Sequence, residues 1–581
     1  MKAIFFLLLS AFVCAAFIHA GFKSDAPEIT VGAVKKQLDK KRFAIGCSPD
    51  FSLLDFTDSV NAIPLLEGWG QYRMPVTVTN DSANIFFQQG IKMYYGFHII
   101  EAMASFEKAL SFDKNFAMAY WGKALAYGPN INDIGYAASP DAILAIQKAK
   151  ELCNNCSGVE KGLINAMSIR YSLDSNALRD SLNQLYADAM KKVHADFPTN
   201  ADAAALYADA LMVQHPWDLY DKFYEPKPWT PAIVKVLDGL LKEFPENPGA
   251  NHYYIHAIEG SKHPEKALEV ANRLGSFMPG LSHLVHMPSH IYIRSGYYEK
   301  GIKVNQDAIK GYDDYLSRYP VVANASFLYL MHNLHMKAAC AAMDGQYDNA
   351  LKYAFETRTS IDSAYLDLGG YWSMYSQYLY MTPLFAQVRF GKWDEIISSV
   401  EIPDKRVFAK TMMHFGKGLA YARLHQFDKA SDELEHMDDS LSSAQLTEHP
   451  PAFNAGTAAL EVAQLIVNGA IAEEENQLPK AIDLYKEAVE KENLMLYNEP
   501  KDWLLPVRQY LGNVLIKAKQ FAAAEKVFKE DLQVNPNNGW ALTGLQTALE
   551  KLNKKSETAA VHQKLKAAFA RSNLKISASV F

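Results

Sequence analysis

Seven of the chain's 17 histidines, His252, His256, His283, His286, His290, His332 and His335, are regularly spaced. His252 and His256 stand four residues apart, with Glu259 three further on. His286 and His290 repeat the spacing, preceded by His283, and His332 and His335 are three apart. On an α-helix, residues three and four apart share one face, so each group can aim its imidazoles at one point. Two histidines four apart on a helix is the geometry by which helical zinc motifs grip their ion. Charge points the same way. Two imidazolium rings about 6 Å apart at an effective dielectric near 20 repel by roughly 3 kcal/mol. Crowding therefore favours neutral rings, which are the ligating form. Several nitrogens with one carboxylate suit zinc, copper, iron or nickel better than calcium or magnesium.

The expected transition-metal set is His252, His256, Glu259, His283, His286, His290 and His332. His252, His256, His286 and His290 form its centre, meeting on one ion, while His335 is less central. Glu259 is read as a ligand or a base. Two other readings use the same residues: a metal-free groove for a peptide or small molecule, or packing histidines bonded to carbonyls. Tyr253, Tyr254, Tyr292 and Tyr329 flank the stripe and read as amphipathic core residues, or as groups that orient a ligand or donate a proton.

The elements that must carry these residues show in a longer period. His252 and His286 are 34 residues apart, and so are His256 and His290. That is the period of the tetratricopeptide helix–turn–helix repeat. With Pro248 at position 1, Ala267 falls at 20 and Pro279 at 32; the next units start at Ser282, with Gly296 at its turn, and at Met331, with Gly345 at its turn. The same rhythm returns in Gly90, Ala102, Phe106 and Ala109, in Gly418, Tyr421 and Ala430, in Gly469, Ala481, Tyr485 and Ala488, and in Gly512, Phe521, Ala524, Phe528 and Pro536.

Most of residues 83–570 thus resembles the tetratricopeptide family. The strings YWGKALAYGPNIN, ANHYYIHAIE, HLVHMPSHIYIRSG, MHNLHM and EPKDWLLPVRQYLG are together similar to a group of exported bacterial tetratricopeptide proteins without an assigned function. The resemblance implies an all-α, right-handed solenoid of antiparallel helix pairs. It also implies that the histidine stripe lines a concave surface and that a peptide or protein could be a partner.

Domain organisation follows. Residues 1–20 have one lysine, an apolar run and small residues, so they read as a secretory signal peptide cut after Ala20. Cys14 raises a lipoprotein alternative, weakened by the Ala-Phe-Val before it. Residues 21–82, with a short helix over about 28–42, read as an N-terminal cap, since a solenoid needs its open ends covered. Helix pairs are expected over 83–247, histidine-rich repeats over 248–350, further repeats and a cap over 351–572, and a tail over 573–581. Helices are predicted over 138–170 and 177–194, broken near Cys153. The aromatic, proline-rich insertion 215–231 is expected at one mouth of the groove. The Asn130 and Asn132 stretch ends a helix, as a cap or as groove lining.

Composition narrows the function classes. The chain has 581 residues, 49% apolar and 21% charged, with a formal charge of −7. No basic block or stripe is present, which argues against nucleic acid. After the signal, no apolar run reaches membrane-spanning length, so an exported chain, periplasmic or secreted, is expected. The GxxxxGK[ST] and GxSxG patterns are absent, leaving nucleotide and α/β-hydrolase chemistry without support. Cys153 and Cys156 could close a local disulfide in an oxidising compartment. Cys340 reads as a buried packing residue, and Arg508 with Asp531 as an ion pair inside the last clear repeat.

Overall fold

The stacking of the repeats is visible at Phe106. A Cβ added to Gly90 would meet its ring at 2.6 Å, and one added to Gly122, in the following repeat, would meet the same ring at 2.6 Å. The aromatic of this second helix wedges between two first helices that have no side chain at the contact. Phe528 does the same between Gly512 and Gly544. Glycine and aromatic positions of the 34-residue frame therefore interlock in these two repeats.

The computed structural model describes residues 60, 63–132, 140–174, 176–318, 330–450 and 452–581. The expected signal peptide, its Ala20 cut, Cys14, Cys47, the helix over about 28–42 and Tyr329 lie outside the described residues. Among the described residues the protein is an all-α solenoid without strands; one isolated bridge joins Tyr220 and Pro226.

Helix pairs succeed one another along the chain. The first four are α1 (Asp81–Tyr95) with α2 (Ile99–Phe112), α3 (Ala117–Ala126) with α4 (Pro140–Leu152), α5 (Gly158–Met167) with α6 (Arg179–Asp196), and α7 (Ala201–Met212) with α8 (Thr230–Glu243). The central region holds α9 (Pro248–Glu259) with α10 (Leu268–Phe277), then α11 (Ser282–His286) and α12 (Pro288–Arg294) with α13 (Tyr298–Arg318), then α14 (His332–Met343) with α15 (Tyr347–Ser360). A short α16 (Ser363–Leu366) and α17 (Gly370–Tyr380) lead to α18 (Thr382–Arg389) with α19 (Trp393–Ile397). Next come α20 (Val407–Arg423) with α21 (Phe427–Leu441), the short α22 (Ala444–Thr447), and α23 (Gly456–Glu474) with α24 (Leu478–Asn493). The last are α25 (Val507–Lys517) with α26 (Phe521–Val534), and α27 (Gly539–Lys551) with α28 (Lys555–Ala568).

Local sequence explains the central helices. Asn247 caps α9 by accepting the Ala250 N–H at 2.8 Å, and Pro248 sits where no N–H is needed. All twelve residues of α9 are buried, so this helix has no solvent face. Pro288 removes one rung between α11 and α12, yet Met287 keeps φ −48° and ψ −38°, and the two segments run on as one helix.

The solenoid does not stay open. Tyr298 donates to the Pro536 carbonyl at 2.9 Å, the Trp540 indole donates to the Ala342 carbonyl at 3.0 Å, and Arg571 pairs with Asp344 at 2.7 Å. The C-terminal repeats therefore fold back on the central ones. Residues expected as a tail join this contact: Ser579 donates to the Gln509 carbonyl at 2.9 Å, and Val580 is buried. The segment 63–80 belongs to the part of the expected cap that is described. It lies across several first helices, with Met74 bonded to Gln88, Thr77 to Glu160 and Tyr72 to Asp202.

Two local expectations are corrected. Cys153 and Cys156 are free thiols rather than a bridge. Arg508 does not pair with Asp531. It donates to Asn493 at 2.9 Å and lies 3.9 Å from Glu530, near the surface. Asp531 is buried and takes three amide donors, from Gln509 at 3.1 Å, Asn535 at 2.9 Å and Asn538 at 3.1 Å. Neutral amides satisfy it where a guanidinium would have to be stripped of water. Cys340 is buried, as expected.

Candidate metal centre

The histidine stripe is interior. His252, His256, Glu259, His283, His286, His290 and His332 are all between 0% and 8% exposed. This corrects the open concave surface expected for it. The turn after α1, the 215–231 insertion and the chain between α24 and α25 cover the stripe. Phe97, at φ 55°, lays its ring 4.4 Å from His252, 5.8 Å from His256 and 5.7 Å from His283. Trp217 meets His256 edge-on at 5.7 Å.

The residues sort into three groups, within each of which the ligand atoms lie within 4.8 Å of one another: His252, His256 and His283; His286, His290 and His332; and Glu259, His290 and Glu499. The single shared point expected for His252, His256, His286 and His290 is thus replaced by two histidine triads. They lie side by side, with the His256 and His290 rings 6.2 Å apart. His332 joins the second triad, its ring 4.7 Å from His286, despite the longer connection that precedes it. His335 faces elsewhere, edge-on to Tyr378 at 5.1 Å.

Hydrogen bonds decide which nitrogen carries the proton in His252, His256, His286 and His290. His252 Nδ1 lies 2.6 Å from the Tyr95 carbonyl, one of those a helix end leaves unpaired. A carbonyl only accepts, so this Nδ1 bears the hydrogen and Nε2 the lone pair. His256 Nδ1 lies 2.8 Å from Glu259 Oε1, and His290 Nδ1 lies 2.5 Å from Glu259 Oε2, with the same consequence. His286 Nδ1 lies 2.7 Å from Asn305 Oδ1. Asn305 is oriented in turn by its own Nδ2, which donates to the Gly301 carbonyl at 2.8 Å.

Four lone pairs are then left on Nε2, and they face each other in twos. His252 Nε2 is 3.1 Å from His256 Nε2, and His286 Nε2 is 2.5 Å from His290 Nε2. Two acceptors at such distances repel unless a proton or a cation lies between them.

The electrostatics favour the cation. Burial, followed by neighbouring rings, pushes His252, His283, His286 and His332 well below the ordinary imidazole range. His290 is also lowered, by burial, although Glu259 opposes the shift. Burial alone would raise the Glu259 carboxyl, but His290 and His256 outweigh it and hold the group anionic. Glu499 reaches the same His290 Nδ1, and Tyr497 Oη stands 3.4 Å from both carboxylates. His252, His283, His286 and His332, kept neutral by burial, bring no positive charge to these carboxylates, and buried carboxylates require it.

Glu259 sits behind the rings rather than among the Nε2 atoms. Its oxygens hold one ring of each triad, the carboxylate–histidine arrangement that raises ligand basicity and fixes ring orientation. Glu499, Asn305, Tyr497 and Phe97 were not anticipated. The one signal for Glu499 was the Asn-Glu-Pro break that interrupts the repeat rhythm between α24 and α25. Tyr253 and Tyr254 are core residues, and Tyr292 donates to Asn272 at 2.9 Å, so none of them is bonded to the triads.

A cavity reaches the centre. Trp217, Tyr220, Leu496 and Tyr497 wall it, and His256 and Glu259 stand at its inner end. The 215–231 insertion supplies one side. Asn132 holds it in place by accepting the Trp217 indole N–H at 3.1 Å, and Asn130 turns the chain under Asn132 through a 2.8 Å bond to its N–H.

No protein-family model matches the chain, and no curated protein matches it. Solved structures similar to it include a human IFIT1 dimer with m7Gppp-AAAA, at 13% identity over 92% of this chain and 100% of that one, with a TM-score of 0.32. Others are the P58(IPK) TPR domain, at 12% identity over 82% and 99% with a TM-score of 0.21, and the Cut9 complex with Hcn1, at 13% identity over 98% and 89% with a TM-score of 0.26. Scores this low carry no argument about function. The tetratricopeptide-repeat fold rests on the chain's own helix pairs and on the aromatic wedges at Phe106 and Phe528. No helix among the described residues is long and apolar enough to cross a membrane.

Proposed function

We propose that this chain is a metal-binding tetratricopeptide-repeat protein that holds transition-metal ions in its interior on His252, His256, His283, His286, His290 and His332, with Glu259 and Glu499 supporting the rings. The observation that carries this reading is the pairing of Nε2 lone pairs, each fixed in place by an acceptor behind its own ring. Imidazoles held only for packing would point one nitrogen's lone pair at a donor. Here the acceptors meet each other. Imidazole donors without a thiolate suit zinc or copper, and iron where a carboxylate joins. An ion with an open position supplies a Lewis acid and an activated water. The side chains orient the rings and exclude bulk water.

Metal analysis of protein purified without chelators tests the proposal: ions retained through gel filtration in the wild type, and lost in His256→Ala/His290→Ala with the helical content intact, are the expected result. Protein that neither retains zinc, copper or iron nor melts at a different temperature when they are added refutes it. Placement outside the cytoplasm is part of the proposal and is supported by the apolar run of residues 1–20; N-terminal sequencing of the mature chain should begin at Gly21.

A further inference from the structure

Building on the metal reading above, we infer that the centre holds two ions, one in the triad His252, His256 and His283 and one in the triad His286, His290 and His332, with Glu259 shared behind both.

The geometry separates the triads. The ligand atoms converge within 4.8 Å inside each triad, while rings of different triads approach to 6.0 Å, His283 to His286, and 6.2 Å, His256 to His290. His252 and His256 bring their Nε2 atoms to 3.1 Å, and His286 and His290 bring theirs to 2.5 Å. A third ring closes each set: His283 has its ring 5.0 Å from His252, and His332 has its ring 4.7 Å from His286. Both contributions come from a neighbouring helix, so each triad spans two repeats. The first uses α9 and α11, and the second uses α11, α12 and α14.

The link is Glu259, with one oxygen on His256 Nδ1 and the other on His290 Nδ1. One carboxylate thus polarises one ligand of each ion, and charge withdrawn by one ion weakens its hold on the ring of the other. The triads also differ. The cavity behind Trp217 ends at His256, a ligand of the first ion, whereas the second triad lies under Glu499 and Asn305. Three protein nitrogens is the ligand count of catalytic zinc sites rather than structural ones, and of the two triads only the first has a ligand, His256, lining this cavity. The first ion is therefore the one placed to exchange or to meet a small ligand.

Counting ions decides the matter. Chelator-stripped full-length protein is titrated with zinc(II), and separately with copper(I), and bound ions are counted by native mass spectrometry. Saturation at two ions of either metal is expected. His283→Ala and His332→Ala should each lower the count to one, while His335→Ala, on the same helix as His332 but outside both triads, should leave it at two. Circular dichroism identifies a variant that has unfolded. For any such variant, anomalous diffraction from the loaded wild type replaces it, and two separate peaks are expected. Saturation at one ion, or a single peak, overturns the two-ion inference and leaves metal binding standing. A count of zero with both metals overturns metal binding itself.

Discussion

Glu259 Oε2 lies 2.5 Å from Nδ1 of His290, which stands 31 residues later in the next repeat, while Oε1 of the same carboxylate takes His256. Both rings therefore owe their proton placement to one side chain. Glu259→Gln keeps the shape but replaces one acceptor oxygen by an NH2 donor, which forces one ring into the opposite tautomer. Metal affinity should fall about 10- to 100-fold, the usual consequence of removing a group that supports a metal ligand. Competition titration against a chelator of known affinity measures this, and an unchanged affinity would refute the role given to Glu259.

Asn305 provides a more local test. Its Oδ1 fixes His286 alone, so Asn305→Ala should weaken the second triad and spare the first. Loss of the buried hydrogen bond should also cost about 1–3 kcal/mol of stability. Denaturant unfolding of the metal-free protein and ion counting of the loaded protein give the two quantities separately.

Acid should destabilise the metal-free protein. His335 is pushed down to about 3 by burial, and His252, His283, His286 and His332 are lowered as well. A histidine depressed in the fold stays neutral while the unfolded chain takes up a proton near its ordinary value of about 6.5. The unfolded state then binds more protons, so stability is complete above about 6.5 and falls as pH drops, by about 1.4 kcal/mol per unit for each such group. For His335 the fall continues to about 3. Denaturation midpoints of stripped protein between pH 7 and 5 check this, and a flat profile would contradict the burial of neutral rings. His335→Leu should make the profile shallower without changing metal content.

Trp217 stands edge-on to His256 at the inner end of the cavity. Trp217→Ala should widen the entry and speed removal of metal by a chelator, with the first ion leaving sooner than the second. Stopped-flow transfer to a coloured chelator follows both phases. Equal acceleration of both would show that entry runs by another route.

Gly90→Ala tests the wedge that stacks the repeats. The added Cβ would stand 2.6 Å from the Phe106 ring, close enough to displace it. Overpacking of this kind costs about 1–3 kcal/mol, which outweighs the roughly 1 kcal/mol that alanine returns in helix propensity. A lowered midpoint in thermal denaturation is expected, whereas the open position Gly239, with nothing within 4 Å, should tolerate alanine.

Much of this was legible in the residues. The 34-residue recurrence places His252 with His286 and His256 with His290, because helix pitch and repeat length are local properties of the chain. The same periodicity places Gly90 and Phe106, like Gly512 and Phe528, at matching positions of their repeats. Which histidines can share a helix face is thus settled by order alone.

What order could not supply was depth and partnership. The stripe became interior because Phe97, Trp217 and the chain at Tyr497 to Glu499 fill the groove, and each arrives from a distant part of the sequence. Whether four rings meet at one point or separate into two triads depends on how far α9, α11 and α14 are displaced from one another, which packing of whole side chains sets. The proton positions depend on Tyr95, Glu259 and Asn305 behind the rings. Hydrogen bonds of that kind have no sequence period, so the tertiary fold alone decided where the four Nε2 lone pairs point.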